Sequence, residues 1–432
     1  MCRGARLLVG VGLVTLLTAA PAPSGAESPL VGPAFRVSGG DLISDEYGPA
    51  VAWSEKTGGY LVVYQDERDY ATRGWDIYGQ RVTADGVREG RSFRISLAAG
   101  TVHESHPRVA WNSAAGEYLA VWADGRVQDP RGSDIYGQLI AADGTLQGGN
   151  FQVSGPAATS NEWSPLVVAN PADNEYLVVW VDERSKTTRG DDIYGQRLAA
   201  DGSPISGDFR VSGPAALDHE GPPAAAWSEA TGGYLVVWED RRDTATRGYD
   251  IYGRLLHVGG TPAGGDFRVS RGDTTVHETA PAVAWSPAAE EWLVVWGDHR
   301  NWATRNWDIY GQRVDATGLR VGPNLRISRT PGPTYEGFPA VAWNEAADRY
   351  LVVWEDSRRE ATRGWDIYAQ YLDGQGAPVA SNLRISTGLT AADQEHPAVA
   401  ANPAAGQNLV VWEDGRREAT RGHDIYGQRV TG

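Results

Sequence analysis

The chain has 432 residues, 41% of them hydrophobic and 22% charged, which is enough apolar mass for a large core and too balanced a composition for a disordered chain. A net charge of −16 argues against nucleic acid as a partner, because the surface repels phosphate at long range. The single Cys, at position 2, excludes a disulfide framework and a cysteine-based metal site.

Residues 1–26 read as a Sec-type signal peptide. Arg3 and Arg6 precede a short apolar run from Leu7 to Leu17, and Ser24-Gly25-Ala26 supplies small residues before a cut at Glu27. That run is too short for a membrane span and no later one exists, so the expected product is secreted, with no membrane span.

Beyond the leader one unit repeats. Asp-Ile-Tyr recurs with its Asp at 76, 134, 192, 250, 308, 366 and 424, a constant spacing of 58. Each unit reads as four strands. The first resembles Pro281-Ala-Val-Ala-Trp285, and the second the doubly buried run Tyr234-Leu-Val-Val-Trp238. The third opens on Asp76-Ile-Tyr. An Asp-Gly turn such as Asp85-Gly86 then leads to the fourth, Phe93-Arg-Ile-Ser96. The expected fold is therefore all-β. Residues 27–432 should form a seven-bladed β-propeller with four antiparallel strands per blade, and a linear β-solenoid is the runner-up. The lone fourth strand Phe35-Arg-Val-Ser38 should complete the last blade and close the ring. Leu235 to Arg242, followed by Gly248-Tyr-Asp-Ile-Tyr252, resembles the WD-repeat-like repeats of TolB-type propeller proteins. That resemblance implies a propeller used as a binding scaffold and carries over no catalytic residue.

Five polar positions recur around Glu46, Asp66, Arg68, Arg73 and Asp76; in the fourth unit they are Glu220, Asp240, Arg242, Arg247 and Asp250. Two connections should bring them to one rim of each blade, as an Arg–carboxylate network that neutralises itself without a metal. The seventh unit has Gln394 at the Glu46 position. Trp122, Trp238 and their counterparts should pack between blades.

Two positions vary within the otherwise fixed loop and are expected to face solvent. One runs Tyr70, Gln128, Lys186, Thr244, Trp302, Glu360, Glu418; the other runs Trp75, Ser133, Asp191, Tyr249, Trp307, Trp365, His423. Candidate ligand-binding residues are thus Tyr70 and Trp75, and Trp302 and Trp307 with His299, Asn301 and Asn306 beside them. His103, His219 and His277 share one repeat position, but their spread over different blades argues against a common metal. No nucleophile elbow, His-Glu-x-x-His or phosphate loop is present. The sequence thus suggests a secreted, monomeric, non-enzymatic scaffold that binds glycan or extracellular protein without metal or cofactor. The alternatives are a secreted hydrolase or lyase working at the mouth of the central channel and a purely structural extracellular module.

Overall fold

A computed structural model describes residues 28–39, 44–126, 132–155, 160–214, 219–271, 276–387 and 392–432. The expected leader and Gln128 lie outside these residues. The described chain is all-β, with single helical turns such as Tyr70–Arg73 as its helices. None of its helices is long and apolar enough to cross a membrane.

In the first unit the strands Glu46–Ser54, Gly59–Asp66, Gly74–Thr83 and Arg88–Arg94 pair in order as an antiparallel meander. Every residue of Gly59–Asp66 is buried, as its continuous apolar run requires, whereas Arg88–Arg94 is the most exposed strand. The meander recurs along the chain. Three sheets hold four strands each, and two hold eight because a short parallel pairing joins neighbouring meanders, as between Gly74 and Val102.

Leu30–Arg36 pairs antiparallel with the last strand, Asp424–Thr431. The Ile425 N–H donates to Ser38 Oγ at 3.0 Å, the bond that Ile77 makes to Ser96 at 2.9 Å within the first unit. Apolar clusters lie between consecutive meanders. One of them unites Leu409, Val411 and Ile425 of the last unit with Tyr60, Val62 and Tyr64 of the first. Trp122, Trp180, Trp238, Trp296, Trp354 and Trp412 are fully buried in these clusters, so they fill the core and present no face to a ligand.

The first strands of successive meanders neighbour one another all the way round, the last against the first. Most of them carry a bulge near the start, between Tyr47 and Ala50 for example. The residue before an invariant Pro sits there at positive φ: Gly48, His106, Ser164, Ala280, Phe338 and His396. A bulge re-aims the side chain at that position, and Pro suits the next one because the ladder no longer needs its N–H.

Candidate active site

The recurring polar residues form a row at one end of each meander. Glu46 lies opposite Asp66, and Asp66 opposite Asp76, in strict register. Arg68 sets its fork on Asp66 at 2.9 and 2.5 Å and lies 3.9 Å over the Tyr78 ring. Arg242 repeats this on Asp240 at 2.8 and 2.6 Å, 4.0 Å over Tyr252. From the second unit on, the buried Trp before each Asp also donates to it, as Trp238 Nε1 does to Asp240 at 3.0 Å.

The expected network needs correction at two points. The main cation on Asp76 is Arg94 of the fourth strand, at 2.7 Å, whereas Arg73 reaches only the half-exposed Asp69, at 3.9 Å. Likewise Asp250 is held by Arg268 at 2.6 Å, while Arg247 pairs chiefly with Asp243 and touches Asp250 at 3.4 Å. Fourth-strand arginines escaped notice because that strand looks like a plain amphipathic edge. The second correction concerns the glutamates, which Arg does not neutralise. The closest approaches to them are 3.4 Å, from Arg300 to Glu278 and from Arg358 to Glu336. Burial, with the neighbouring aspartates, pushes the carboxyls of Glu46, Glu104, Glu162, Glu278 and Glu336 up to about 8 and that of Glu220 well above its ordinary value. Their burial thus favours the protonated, neutral form. Gln394, at the same position in the seventh unit, is the neutral isostere of such a group, and its amide donates to the Ala392 carbonyl at 2.7 Å.

The two variable positions part company. Tyr70 and Trp302 are 49% and 58% exposed, as expected of solvent-facing residues. The Trp75 position is less exposed: it is partly buried in most units and keeps some access to solvent. It packs across each unit junction against the residue just before the recurring glutamate of the next unit. These pairs are Trp75–His103, Ser133–Asn161, Asp191–His219, Tyr249–His277, Trp307–Tyr335, Trp365–Asp393 and His423–Asp45. His103, His219 and His277 thus each meet a different neighbour and share no site. Asn301 is committed internally, its amide donating to Tyr310 Oη at 3.2 Å and to Asp308 at 3.4 Å. Asn306 has φ 70° where the other units place Gly, which Asn tolerates better than most residues. His299 lies 4.3 Å from the Trp302 ring and 4.8 Å from that of Trp307.

A set of unlike groups gathers elsewhere, at the bulges of the sixth, seventh and first units. Glu355 and Glu413 occupy a buried second-strand position that is apolar or small in Ala123, Val181 and Gly297. Each accepts the N–H of the bulge residue in the next unit: His396 to Glu355 at 3.1 Å and Gly48 to Glu413 at 2.6 Å. His396 Nδ1 lies 3.2 Å from Glu413, and the Phe338 ring lies 5.0 Å from the imidazole. Glu395 stands opposite Glu413 in register, and Glu395, His396 and Glu413 bring one ligand atom each within 4.8 Å of one another. Three such donors could hold a cation, but only if it displaced the proton that His396 shares with Glu413.

These environments separate the titrating groups. Burial lifts the Glu355 carboxyl to about 7, against the pull of the His396 N–H. Burial alone would depress His396, but the Glu413, Glu355 and Glu395 carboxylates override it and carry the imidazole up to about 9. Burial, with Asp393 and Glu413 nearby, also raises Glu395. In the second unit burial, Arg108 and His396 bring His106 down to about 4. Sequence reading missed this cluster because it lies in strands rather than in the conspicuous loop.

No protein-family model matches the chain, and no curated protein matches it. Solved structures do resemble it. An α-L-arabinanase of Penicillium chrysogenum complexed with arabinobiose matches at 12% identity and TM-score 0.52, covering 76% of this chain and 93% of that one. An α-L-arabinofuranosidase mutant of Fusarium graminearum with an iminosugar inhibitor matches at 13% identity and TM-score 0.51, with the same coverages. Such likeness shows the fold, a β-propeller shared with glycoside hydrolases. It supports the propeller implied by the TolB-type resemblance but not that repeat identity. The expectation of a non-enzymatic binding scaffold is corrected: the similar propellers are hydrolases.

Proposed function

We propose that residues 27–432 form one seven-bladed propeller, exported after loss of residues 1–26, that works as a glycoside hydrolase with its site at the mouth of the central channel. The observation that carries this reading is the Glu355–Glu395–His396–Glu413 cluster, where carboxyl groups of unlike environment share one place in an otherwise repetitive ring. Glycoside hydrolysis needs such a division: one carboxylic acid protonates the leaving oxygen and a second carboxylate acts at the anomeric carbon or on water. Glu355, holding its proton up to about pH 7, takes the acid role. Glu395, only partly buried, takes the carboxylate role and activates water once the glycosidic C–O bond opens. The His396 imidazolium, fixed by Glu413, orients the pair.

The arabinose-containing ligand and activities named for the similar structures make α-L-arabinosides the first substrates to try. The test is release of reducing sugar from linear arabinan and of nitrophenol from a panel of 4-nitrophenyl glycosides. At least one substrate should be cleaved, and Glu395→Gln should slow cleavage by about 10²–10⁴-fold. Inert behaviour across the whole panel, or undiminished activity in Glu395→Gln, would contradict the proposal.

A further inference from the structure

Aromatic rings run without a break across the fourth, fifth and sixth units. Tyr249 meets His277 at 4.2 Å, His277 meets His299 at 6.4 Å, and His299 meets Trp307 at 4.8 Å. Trp307 then meets Tyr335 at 6.0 Å, and Tyr335 meets Trp365 at 4.9 Å. Trp302 projects beside His299 as the most exposed ring of the row. All the other rings are partly buried, so their edges are fixed while part of each remains accessible. One end is closed by Arg241, whose guanidinium lies 4.4 Å over the Tyr249 ring and is itself tied to Glu239. The other end reaches the strands that carry the carboxylates: Tyr335 lies against Gly337, which pairs with Glu355, and the N–H of Gln394, beside Glu395, donates to the Trp365 carbonyl at 3.0 Å. Gly337 makes room for the Tyr335 ring: a Cβ there would lie 2.7 Å from it.

We propose that this track binds a linear, neutral polysaccharide and feeds it to the carboxylates of the sixth and seventh units, a reading that rests on the hydrolase assignment above. Accessible parts of aromatic rings pack on the C–H faces of sugars, while the His and Tyr heteroatoms meet hydroxyl groups. An acidic glycan is disfavoured by Glu355, Glu395 and Glu413 at the track's end and by the chain's net charge of −16. The rings are anchored by the fold, His299 N–H on the His277 carbonyl at 3.0 Å for example, so little ordering is needed on binding. The smaller Tyr70–Trp75–His103 group lies on the first and second units, apart from the track.

The test is affinity electrophoresis of the mature chain through gels holding linear arabinan, xylan or hydroxyethyl cellulose, with polygalacturonate as the acidic comparison. At least one neutral polymer should retard the protein and polygalacturonate should not. Trp302→Ala, at an exposed site with no bearing on folding, and Trp307→Ala should each weaken retardation about ten- to a hundredfold. Retardation by no neutral polymer, equal retardation by polygalacturonate, or retardation that survives both substitutions overturns the track. Glu395→Gln, run in the same gels, separates the two readings. Retardation without hydrolysis by the unmodified chain keeps the track and removes the hydrolase, whereas hydrolysis that is indifferent to Trp302 and Trp307 does the reverse.

Discussion

Chemical unfolding of the mature chain should show stability falling as pH rises from about 5 to about 8, the opposite of the usual behaviour of carboxylates held in ion pairs. The six buried glutamates have folded pKa values raised above their unfolded ones, five of them to about 8. Across that window the unfolded chain has released these protons and the folded chain keeps them. Their stabilising effect is therefore complete below about 4.5 and disappears as pH passes through about 8. Each group contributes a slope of about 1.4 kcal/mol per pH unit. Glu355 and His396, both raised, act in the same direction, whereas His106, lowered to about 4, and His299, also lowered, oppose them below the ordinary histidine range. Glu162→Gln, which copies the natural Gln394, should remove one proton's share of the slope and raise stability at pH 8. A curve that is flat or rises between pH 5 and pH 8 would mean that these glutamates ionise freely in the fold.

Deleting residues 27–39 should abolish a stable monomer. The deletion strips Phe35 and Val37 from the cluster joining the last unit to the first and takes Leu30 and Ala34 from the neighbouring cluster. It also leaves Asp424 without Arg36, 2.7 Å away, and Ile425 N–H without Ser38. Several lost apolar side chains and an uncompensated buried carboxylate sum to on the order of 10 kcal/mol, about the whole stability of a typical domain. The Asp424–Thr431 strand would then be an open edge, and edge-to-edge association should follow. Light scattering and a melting curve check this; a truncated chain that stays monomeric with an unchanged Tm would contradict it.

The repeat made the all-β architecture legible because backbone pairing needs only period-two apolar runs and turns, and both recur at 58-residue spacing. It also marked the Asp66 and Arg68 positions, since a bidentate pair tolerates no substitute. Partner choice was less legible. Arg73 is nearer in sequence to Asp76, but strand register delivers Arg94 instead. Proximity of that kind is a property of the folded sheet. The carboxylate cluster was hidden for a related reason: Glu355, Glu395 and Glu413 come from two units and meet only because a bulge turns His396 toward them. A signal was nevertheless present. Glu239, Glu355 and Glu413 stand at a buried strand position that other units fill with apolar or small residues such as Ala123, Val181 and Gly297, and a carboxylate buried inside a strand calls for a partner. The exposed tryptophans drew attention first because loop variability is easier to see than a charge inside a strand.

The hydrolase assignment stands on Glu355 acting as a proton donor, and the pH dependence of kcat/KM on a substrate found in the glycoside panel tests it most directly. A general acid works only while protonated, so kcat/KM should fall about tenfold for each pH unit above about 7. Glu355→Gln should lower the plateau and erase that limb. A rate that holds level to pH 9, or a limb that persists unchanged in Glu355→Gln, would show that the proton comes from elsewhere and that the cluster around Glu355 is not the active site.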